Sequence, residues 1–188
     1  ARAMKVMGFS DLVLVAPRFA DVASHEDAVA MASGAADILV RARVVPTLAD
    51  ALDGISFACA TAMTPRDFGP PTCAPRERLP ALAAEVAAGT QTVAFVFGSE
   101  RFGMANADVW RCHVCLSIPS APDYGSLNLA QALQCIAYDW RCALGAWPVQ
   151  ARTAATVPAD GAAVAGALDH WQQVLEQIEF LDPASPKR

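Results

Sequence analysis

The sequence lacks the two features that would direct a protein to, or across, a membrane. None of its apolar runs reaches the roughly 20 residues that a membrane-spanning helix needs. The first segment, residues 1–9, carries Arg2 and Lys5 and has no apolar core like that of a secretory signal peptide. We therefore expect a cytoplasmic protein.

The sequence also lacks the cysteine spacing of a disulfide framework or a zinc site. Its six cysteines lie mostly in apolar segments, as buried free thiols of a reducing compartment do. Cys112 and Cys115 lie three positions apart in a predicted strand, so their side chains should point to opposite faces. There is no second ligand pair, and we expect no bound metal. His113 is expected to be a strand residue with a hydrogen-bonded ring.

Two common nucleotide-binding motifs are missing as well. No GxGxxG follows the first predicted strand and no Walker-type lysine is present, which argues against a nucleotide-binding oxidoreductase, the generic α/β alternative. The net charge of −5 argues against nucleic-acid binding. However, the chain begins without Met and ends at Pro-Lys-Arg. We expect both ends to be trimmed, with a basic segment following Arg188.

The 188 residues do contain a succession of apolar strands and helices, and 54% of them are apolar, enough for a sizeable core. Predicted strands cover residues 12–17, 40–45, 55–61, 92–98 and 112–118. Predicted helices cover residues 1–7, 25–33, 47–52, 79–88, 127–147 and 162–181. Because wholly apolar strands alternate with helices, we predict an α/β fold with a mostly parallel sheet and helices on both faces.

Composition suggests a division of the chain into three parts. Residues 1–150 are predicted to form one domain. Residues 151–160 are rich in Ala, Thr and Pro and are predicted to be a linker. Residues 161–188 are expected to begin a helical C-terminal extension, whose apolar residues recur at steps of three or four.

The stretch from Ser117 to Arg141 is where the predicted elements converge. It is expected to run from a strand end through a tight loop into a long helix, with Asp123 or Ser126 capping that helix. The helix is apolar on more than one side, which predicts burial in a core or at a subunit interface.

Ligands of an open α/β sheet bind beyond the carboxyl ends of its strands. These ends are predicted at residues 61–63, 98–100 and 118–127. Turns of this kind suit a flat, mainly neutral ligand held by backbone groups. The proline-rich loop after the first of them carries Arg66, Arg76 and Arg78, which are either solvated or able to hold phosphates.

Three motifs resemble those of a known family. The segment FGSERFGM at residues 97–104, followed by SIPSAPDYGSLNLAQA from Ser117, resembles the second and third motifs of the SPOUT superfamily, SpoU type. ARAMKVMG at the start resembles the end of its first motif. The resemblance covers residues 1–147 and is greatest to the branch that methylates cytidine or uridine at the first nucleotide of the tRNA anticodon loop.

The resemblance implies an S-adenosylmethionine-dependent RNA 2′-O-ribose methyltransferase that acts on tRNA. It also implies an obligate homodimer and a deep trefoil knot in the C-terminal half, where the chain after Ile118 passes through a loop of the sheet. Two alternatives stay open. One is an rRNA 2′-O-methyltransferase of the same fold, and the other is a catalytically silent dimer that binds RNA or a partner.

The same resemblance implies roles for individual residues. The implied catalytic residues are Arg2, Glu100, Ser126 and Asn128. The implied cofactor-binding residues are Thr61, Ala62, Met63, Gly98, Ile118, Gly125, Ser126 and Leu127. An arginine has a pKa above about 12 and is a poor general base, so we expect Arg2 to clamp a phosphate or hydroxyl.

The chain departs from the family pattern in three places. The first strand and the Asn-containing loop that normally precede ARAMK are absent from this sequence. Gly125 stands where relatives often carry serine, and Ser99 where they often carry arginine. Because Ser99 removes a possible phosphate contact, we expect the RNA specificity to differ.

Overall fold

The computed structural model describes residues 1–62, 68–145, 147–150 and 157–182. The chain divides into two compact units, Ala1–Trp147 and Pro148–Arg188. The strands of the first unit are β1 (Val13–Val15), β2 (Arg43–Val45), β3 (Phe57–Thr61), β4 (Thr72–Cys73), β5 (Val93–Val96) and β6 (Val114–Leu116). Its helices are α1 (Arg2–Val6), α2 (Glu26–Ala32), α3 (Ala36–Val40), α4 (Leu48–Ala51), α5 (Pro75–Ala87), α6 (Asn106–Val109) and α7 (Leu129–Leu144), and the second unit holds α8 (Gly161–Gln177).

All strand pairs in the described part of the chain are parallel. β1 pairs with β2, and the other four strands form one sheet in the order β4-β6-β3-β5. In the centre of that sheet Cys59 of β3 lies opposite Val114 of β6, and Phe57 opposite Val93 of β5. The prediction of an α/β fold with a mostly parallel sheet is confirmed.

Both faces of the larger sheet are covered. Side chains alternate along its central strands, so each strand sends apolar residues to both faces. On one face Cys59 packs with the α5 residues Leu79 and Leu82 and the α7 residues Ile136 and Trp140. The opposite face is packed by a second cluster: Ala58, Ala60, Met104, Val109, Cys112 and Cys115. Because Cys112 precedes β6 and is not part of it, the expectation that Cys112 and Cys115 point to opposite faces is wrong. Two cores on one sheet fix β3 and β6 at the centre, so their carboxyl ends are rigid supports for the loops that follow.

Helix α7 begins two residues later than predicted. Its N-cap is Asn128, whose side-chain oxygen accepts from the Gln131 N–H at 2.9 Å. The expectation that Asp123 or Ser126 caps this helix is therefore wrong. Within the single chain α7 buries one stripe, Ile136, Ala137 and Trp140, rather than several sides.

Helix α5 begins four residues before its predicted start. Pro75 occupies the first helical position, where its missing N–H costs nothing. Glu77 accepts the Ala74 N–H at 2.9 Å and so fixes the first turn. The two-residue strand β4 lies within a segment that was expected to be a loop throughout. A proline-rich composition is typical of a loop, so it indicated neither the strand nor the earlier start of the helix.

Other boundaries shift by a few residues. The strand predicted at residues 40–45 is shorter, because Val40 ends the unpredicted helix α3. Helix α4 forms as predicted, with Thr47 and Asp50 making a reciprocal capping box. His113 precedes β6 rather than lying within it, and its Nδ1 accepts the Ala58 N–H at 3.1 Å, so the expected ring hydrogen bond is present.

The second unit is described mainly by α8. Asp160 caps it, since its Oδ1 accepts from the Ala163 N–H at 2.7 Å. None of the helix residues is buried, and Leu168 and Trp171 are exposed. Among the described residues of both units, no helix combines the length and apolarity required to cross a membrane.

Candidate functional site

Three turns of the first unit meet around a cavity of about 310 Å³. They follow β3, β5 and β6, which are neighbours in the sheet, so their carboxyl ends lie at the same edge. The cavity is lined by Thr61, Ala62, Phe97, Gly98, Ser99, Glu100, Arg101, Gly103, Met104, Leu116, Ile118, Gly125, Ser126, Leu127, Leu129 and Ala132. The volume is at the lower end of the range for small-molecule sites.

The turn after β5 is a closed backbone loop. The Ser99 N–H donates to the Gly103 carbonyl at 3.1 Å, and the Gly103 N–H donates back to the Ser99 carbonyl at 2.8 Å. Ser99 Oγ accepts the Phe102 N–H at 3.2 Å. A Cβ at Gly98 would overlap the Gly103 carbonyl group, so only glycine fits there. The loop is therefore held in a single shape that presents Glu100 and Arg101 to the cavity.

The turn after β3 is joined to the neighbouring strand. Thr61 Oγ1 donates to the Val96 carbonyl at 2.9 Å and so links β3 to β5 at the edge of the cavity. This hydroxyl hydrogen is already used within the fold. Ala62 completes the described part of this turn, and Met63 lies outside the described residues.

The turn after β6 leads into α7. The Tyr124 N–H donates to the Ala121 carbonyl at 3.2 Å, and this tight turn directs the next three residues, 125–127, along the cavity. The first turns of α7 add Leu129 and Ala132 to the wall. This side of the cavity therefore combines the exposed Ser126 hydroxyl with apolar surface.

The structure brings together most of the residues to which the resemblance gave a role. Glu100 and seven of the eight expected cofactor-binding residues line the cavity, and Met63 is the eighth. Asn128 does not line it, and the Asn128 side-chain oxygen is engaged in the helix cap. Arg2 is also outside the lining. It lies exposed on α1, where its Nη1 donates to Ser33 Oγ at 3.3 Å. The roles themselves stay predictions.

Some lining residues were not predicted. They are Phe97, Arg101, Gly103, Met104, Leu116, Leu129 and Ala132. Two periodicities in the sequence could have found several of them. Leu116 points to the same side of its strand segment as Ile118, two residues later. Ala132 lies one helical turn beyond Leu129, on the same face of α7.

Two of the arginines expected as possible phosphate contacts, Arg76 and Arg78, form ion pairs with other residues of the chain. Arg76 Nε lies 2.9 Å from Asp139 Oδ1, an ion pair that raises the pKa of Arg76. Arg78 donates from two nitrogens to Glu85 Oε1 and lies over the Phe57 ring. The Arg76 side chain is still 79% exposed, and Arg66 lies outside the described residues.

The thiols behind the cavity are not activated. Burial is the main cause that raises the pKa of Cys59 to about 12 and that of Cys112 to about 11. Both are therefore protonated at neutral pH and are poor nucleophiles or metal ligands. Within the described ranges, no group of three or more His, Cys, Asp or Glu side chains is arranged to hold a metal ion.

Comparison with known proteins adds sequence and structural relatives. Residues 1–138 match the SpoU rRNA Methylase family. The chain is 41% identical over 198 aligned residues to the tRNA (cytidine/uridine/adenosine-2′-O-)-methyltransferase TrmJ of Pseudomonas aeruginosa, covering 100% of this chain and 75% of that protein. Other curated relatives match 76% of this chain but only 56–57% of their own length.

Solved structures that resemble this chain include a TrmJ and a SpoU methyltransferase. The crystal structure of TrmJ from Z. mobilis ZM4 has a TM-score of 0.66 and 30% identity, and the match covers 97% of this chain and 74% of that one. The SpoU methyltransferase AviRb from Streptomyces viridochromogenes, solved in complex with AdoMet, has a TM-score of 0.56 and 21% identity over 75% of this chain and 50% of its own. The second likeness concerns the fold alone.

Proposed function

The chain belongs to the SpoU rRNA methylase family, and we propose from this premise that it methylates a ribose 2′-hydroxyl of tRNA with S-adenosylmethionine. The observation that carries the proposal is the convergence of two family motif segments, residues 97–104 and 117–132, with the turn after β3 on one cavity at the carboxyl edge of the sheet. We propose cytidine or uridine in the anticodon loop as the target, because the P. aeruginosa relative is named for methylation of cytidine, uridine and adenosine in tRNA and the motif resemblance implies the anticodon loop.

The cavity residues fit an adenosyl cofactor. Ala62, Leu116 and Ile118 supply apolar surface for a flat ring, and Ser126 and Glu100 supply polar atoms for a ribose or an amino acid group. Backbone groups of the three turns add donors and acceptors. S-adenosylmethionine would supply a methyl group on a positively charged sulfur, so the reaction needs positioning and proton removal rather than a metal.

The residues of the chain then have distinct tasks. Glu100 and Ser126 lie at the cavity, where a carboxylate and a hydroxyl can orient the incoming ribose and accept or relay its 2′-proton. Asn128 holds the first turn of α7 and thereby the position of Ser126. Arg2 is proposed to clamp a phosphate or hydroxyl of the RNA from α1, because a guanidinium presents several N–H donors in one plane.

Three properties of the whole protein belong to the proposal. They are the homodimer, the knot in which the chain after Ile118 passes through a loop of the sheet, and action in the cytoplasm. The proposed domain limits are residues 1–150 for the methyltransferase, 151–160 for a linker and 161–188 for the start of an extension. The resemblance of the motifs supports the homodimer and the knot, and the composition of residues 151–160 supports the domain limits.

Calorimetry and a methylation assay test the proposal. The full-length protein should bind S-adenosylmethionine or its demethylated product, and should transfer a labelled methyl group to bulk tRNA. No binding would contradict it. A family described as rRNA methylases makes ribosomal RNA the second candidate, and transfer to isolated rRNA but not to tRNA would favour that candidate. Cofactor binding without transfer to either RNA would indicate the catalytically silent dimer.

A further inference from the structure

The closed loop after β5 carries an aromatic residue on its outer side. Phe102 is 79% exposed, although a phenylalanine side chain normally gains by burial. Its neighbours Ser99, Glu100, Arg101 and Gly103 all line the cavity, whereas Phe102 itself does not. The ring is therefore presented at the rim of the cavity rather than inside it.

One contact fixes the backbone at Phe102, and a second lies against its ring. The Phe102 N–H is held by Ser99 Oγ at 3.2 Å, within a loop that is closed by two backbone hydrogen bonds. The Arg101 guanidinium carbon lies 5.2 Å from the centre of the Phe102 ring. An exposed aromatic ring on a fixed loop, next to a cation, matches the chemistry that proteins use to stack unpaired nucleobases of RNA.

We propose that Phe102 stacks against a nucleobase of the substrate RNA next to the ribose in the cavity, and that Arg101 reinforces this contact with its charge. The inference rests on the proposed function and adds a residue that selects an unpaired base. The base must be unpaired, because a paired base is stacked within its helix and its face is covered. The substrate is therefore a single-stranded loop of RNA.

In this arrangement the Ser99 hydroxyl has a structural role. By accepting the Phe102 N–H it fixes the turn that presents the ring. Serine at position 99 thus favours binding of a base over binding of a phosphate.

The test replaces Phe102 in the full-length protein. Phe102→Ala should weaken tRNA binding, measured by fluorescence anisotropy, by about tenfold or more, as loss of one stacked base does. The KM for tRNA should rise similarly, and Phe102→Tyr should restore most of the affinity. Phe180→Ala is the matched control, because Phe180 is 74% exposed in the other unit and should leave the affinity unchanged.

Two further measurements separate this inference from its alternatives. In Phe102→Trp, added tRNA should quench the new tryptophan fluorescence beyond any change in the parent protein, because the indole stacks on a base. S-adenosylmethionine affinity and dimer mass should not change in Phe102→Ala.

If the parent protein is active and Phe102→Ala does not change its tRNA affinity, the inference about Phe102 is overturned and the proposed function is not. Loss of the dimer in that variant would also overturn the inference, because the ring would then contact a second subunit. A parent without cofactor binding or methyl transfer would instead overturn the proposed function.

Discussion

Gly98 shows at the scale of a single residue how the backbone shapes the cavity. A side chain there would overlap the Gly103 carbonyl group and push apart the loop that carries Glu100. We predict that Gly98→Ala weakens S-adenosylmethionine binding by about tenfold, since overpacking of this kind costs roughly 1–3 kcal/mol. Isothermal calorimetry measures the change.

A matched glycine serves as the control for that change. Gly166 lies in α8, and a Cβ there meets no atom within 4 Å. Gly166→Ala should therefore leave cofactor affinity unaltered and the fold intact by circular dichroism. If Gly98→Ala binds the cofactor as tightly as the parent, the loop is not part of the cofactor site.

The residues that could be predicted from sequence are those whose position follows from a local motif. Gly98, Glu100 and Ser126 lie at strand ends, and the order of strands in a parallel sheet brings such ends together. Arg2 and Asn128 were expected at the same point but do not line the cavity of the single chain. The Asn128 side-chain oxygen is engaged in the cap of α7, and Arg2 donates to Ser33, a residue distant in sequence with which no motif pairs it.

At the scale of elements, one side chain hydrogen-bonds the last turn of α7 to the C-terminal end of the first helix. Arg141 donates to the Met7 carbonyl from Nε at 3.1 Å and from Nη2 at 2.8 Å. Its guanidinium carbon also lies 4.0 Å from the centre of the Trp147 ring. A Cβ on Gly8 would lie 2.6 Å from Arg141 Nη2, so a glycine is needed beside this contact.

We predict that Arg141→Ala lowers the free energy of unfolding by about 2 kcal/mol, because it removes hydrogen bonds from a charged donor and strands a carbonyl. Arg141→Lys should recover only part of this, since an ammonium cannot reproduce the two-nitrogen contact and the stacking. Urea unfolding of the full-length protein measures both variants.

Arg111→Ala is the control for these variants, because it removes an exposed arginine from the segment just before β6. It should change the unfolding free energy by less than about 0.5 kcal/mol. An Arg141→Ala protein as stable as the Arg111→Ala protein would show that the contact with Met7 contributes nothing.

Two of the elements that sequence reasoning missed have a common physical cause. Composition identified the apolar strands β3 and β5, because a buried strand must be apolar along its length. It missed β4 and the first turn of α5, where Pro75 and Glu77 start a helix inside a segment rich in turn-forming residues. The tertiary pairing of Thr72 with Cys115 decides that short strand, and pairing is not a local property.

At the scale of the whole molecule, Arg2 does not line the cavity of its own chain, so the arginine that serves a cavity could come from the other subunit of a dimer. The resemblance implies a homodimer, and the chain folded alone holds Arg2 against Ser33. In a symmetric dimer the two copies of a patch face each other reciprocally. One subunit could then supply its Arg2 to the cavity of the other. The periodicity of the sequence predicts neither the knot nor the dimer. A knot depends on how distant parts of one chain meet, and a dimer depends on how two chains meet.

A heterodimer experiment tests this arrangement. One subunit carries Arg2→Ala, the other carries Gly98→Val, and two different affinity tags isolate the mixed dimer. If Arg2 acts on the partner's cavity, the intact cavity of the Arg2→Ala subunit receives the arginine of the other subunit. The mixed dimer then keeps one working site and about half of the parent kcat, as its symmetry requires. If Arg2 acts within its own subunit, neither site is complete and kcat falls to the level of the two single-variant homodimers. An Arg2→Ala homodimer with full activity would remove Arg2 from the catalytic set altogether.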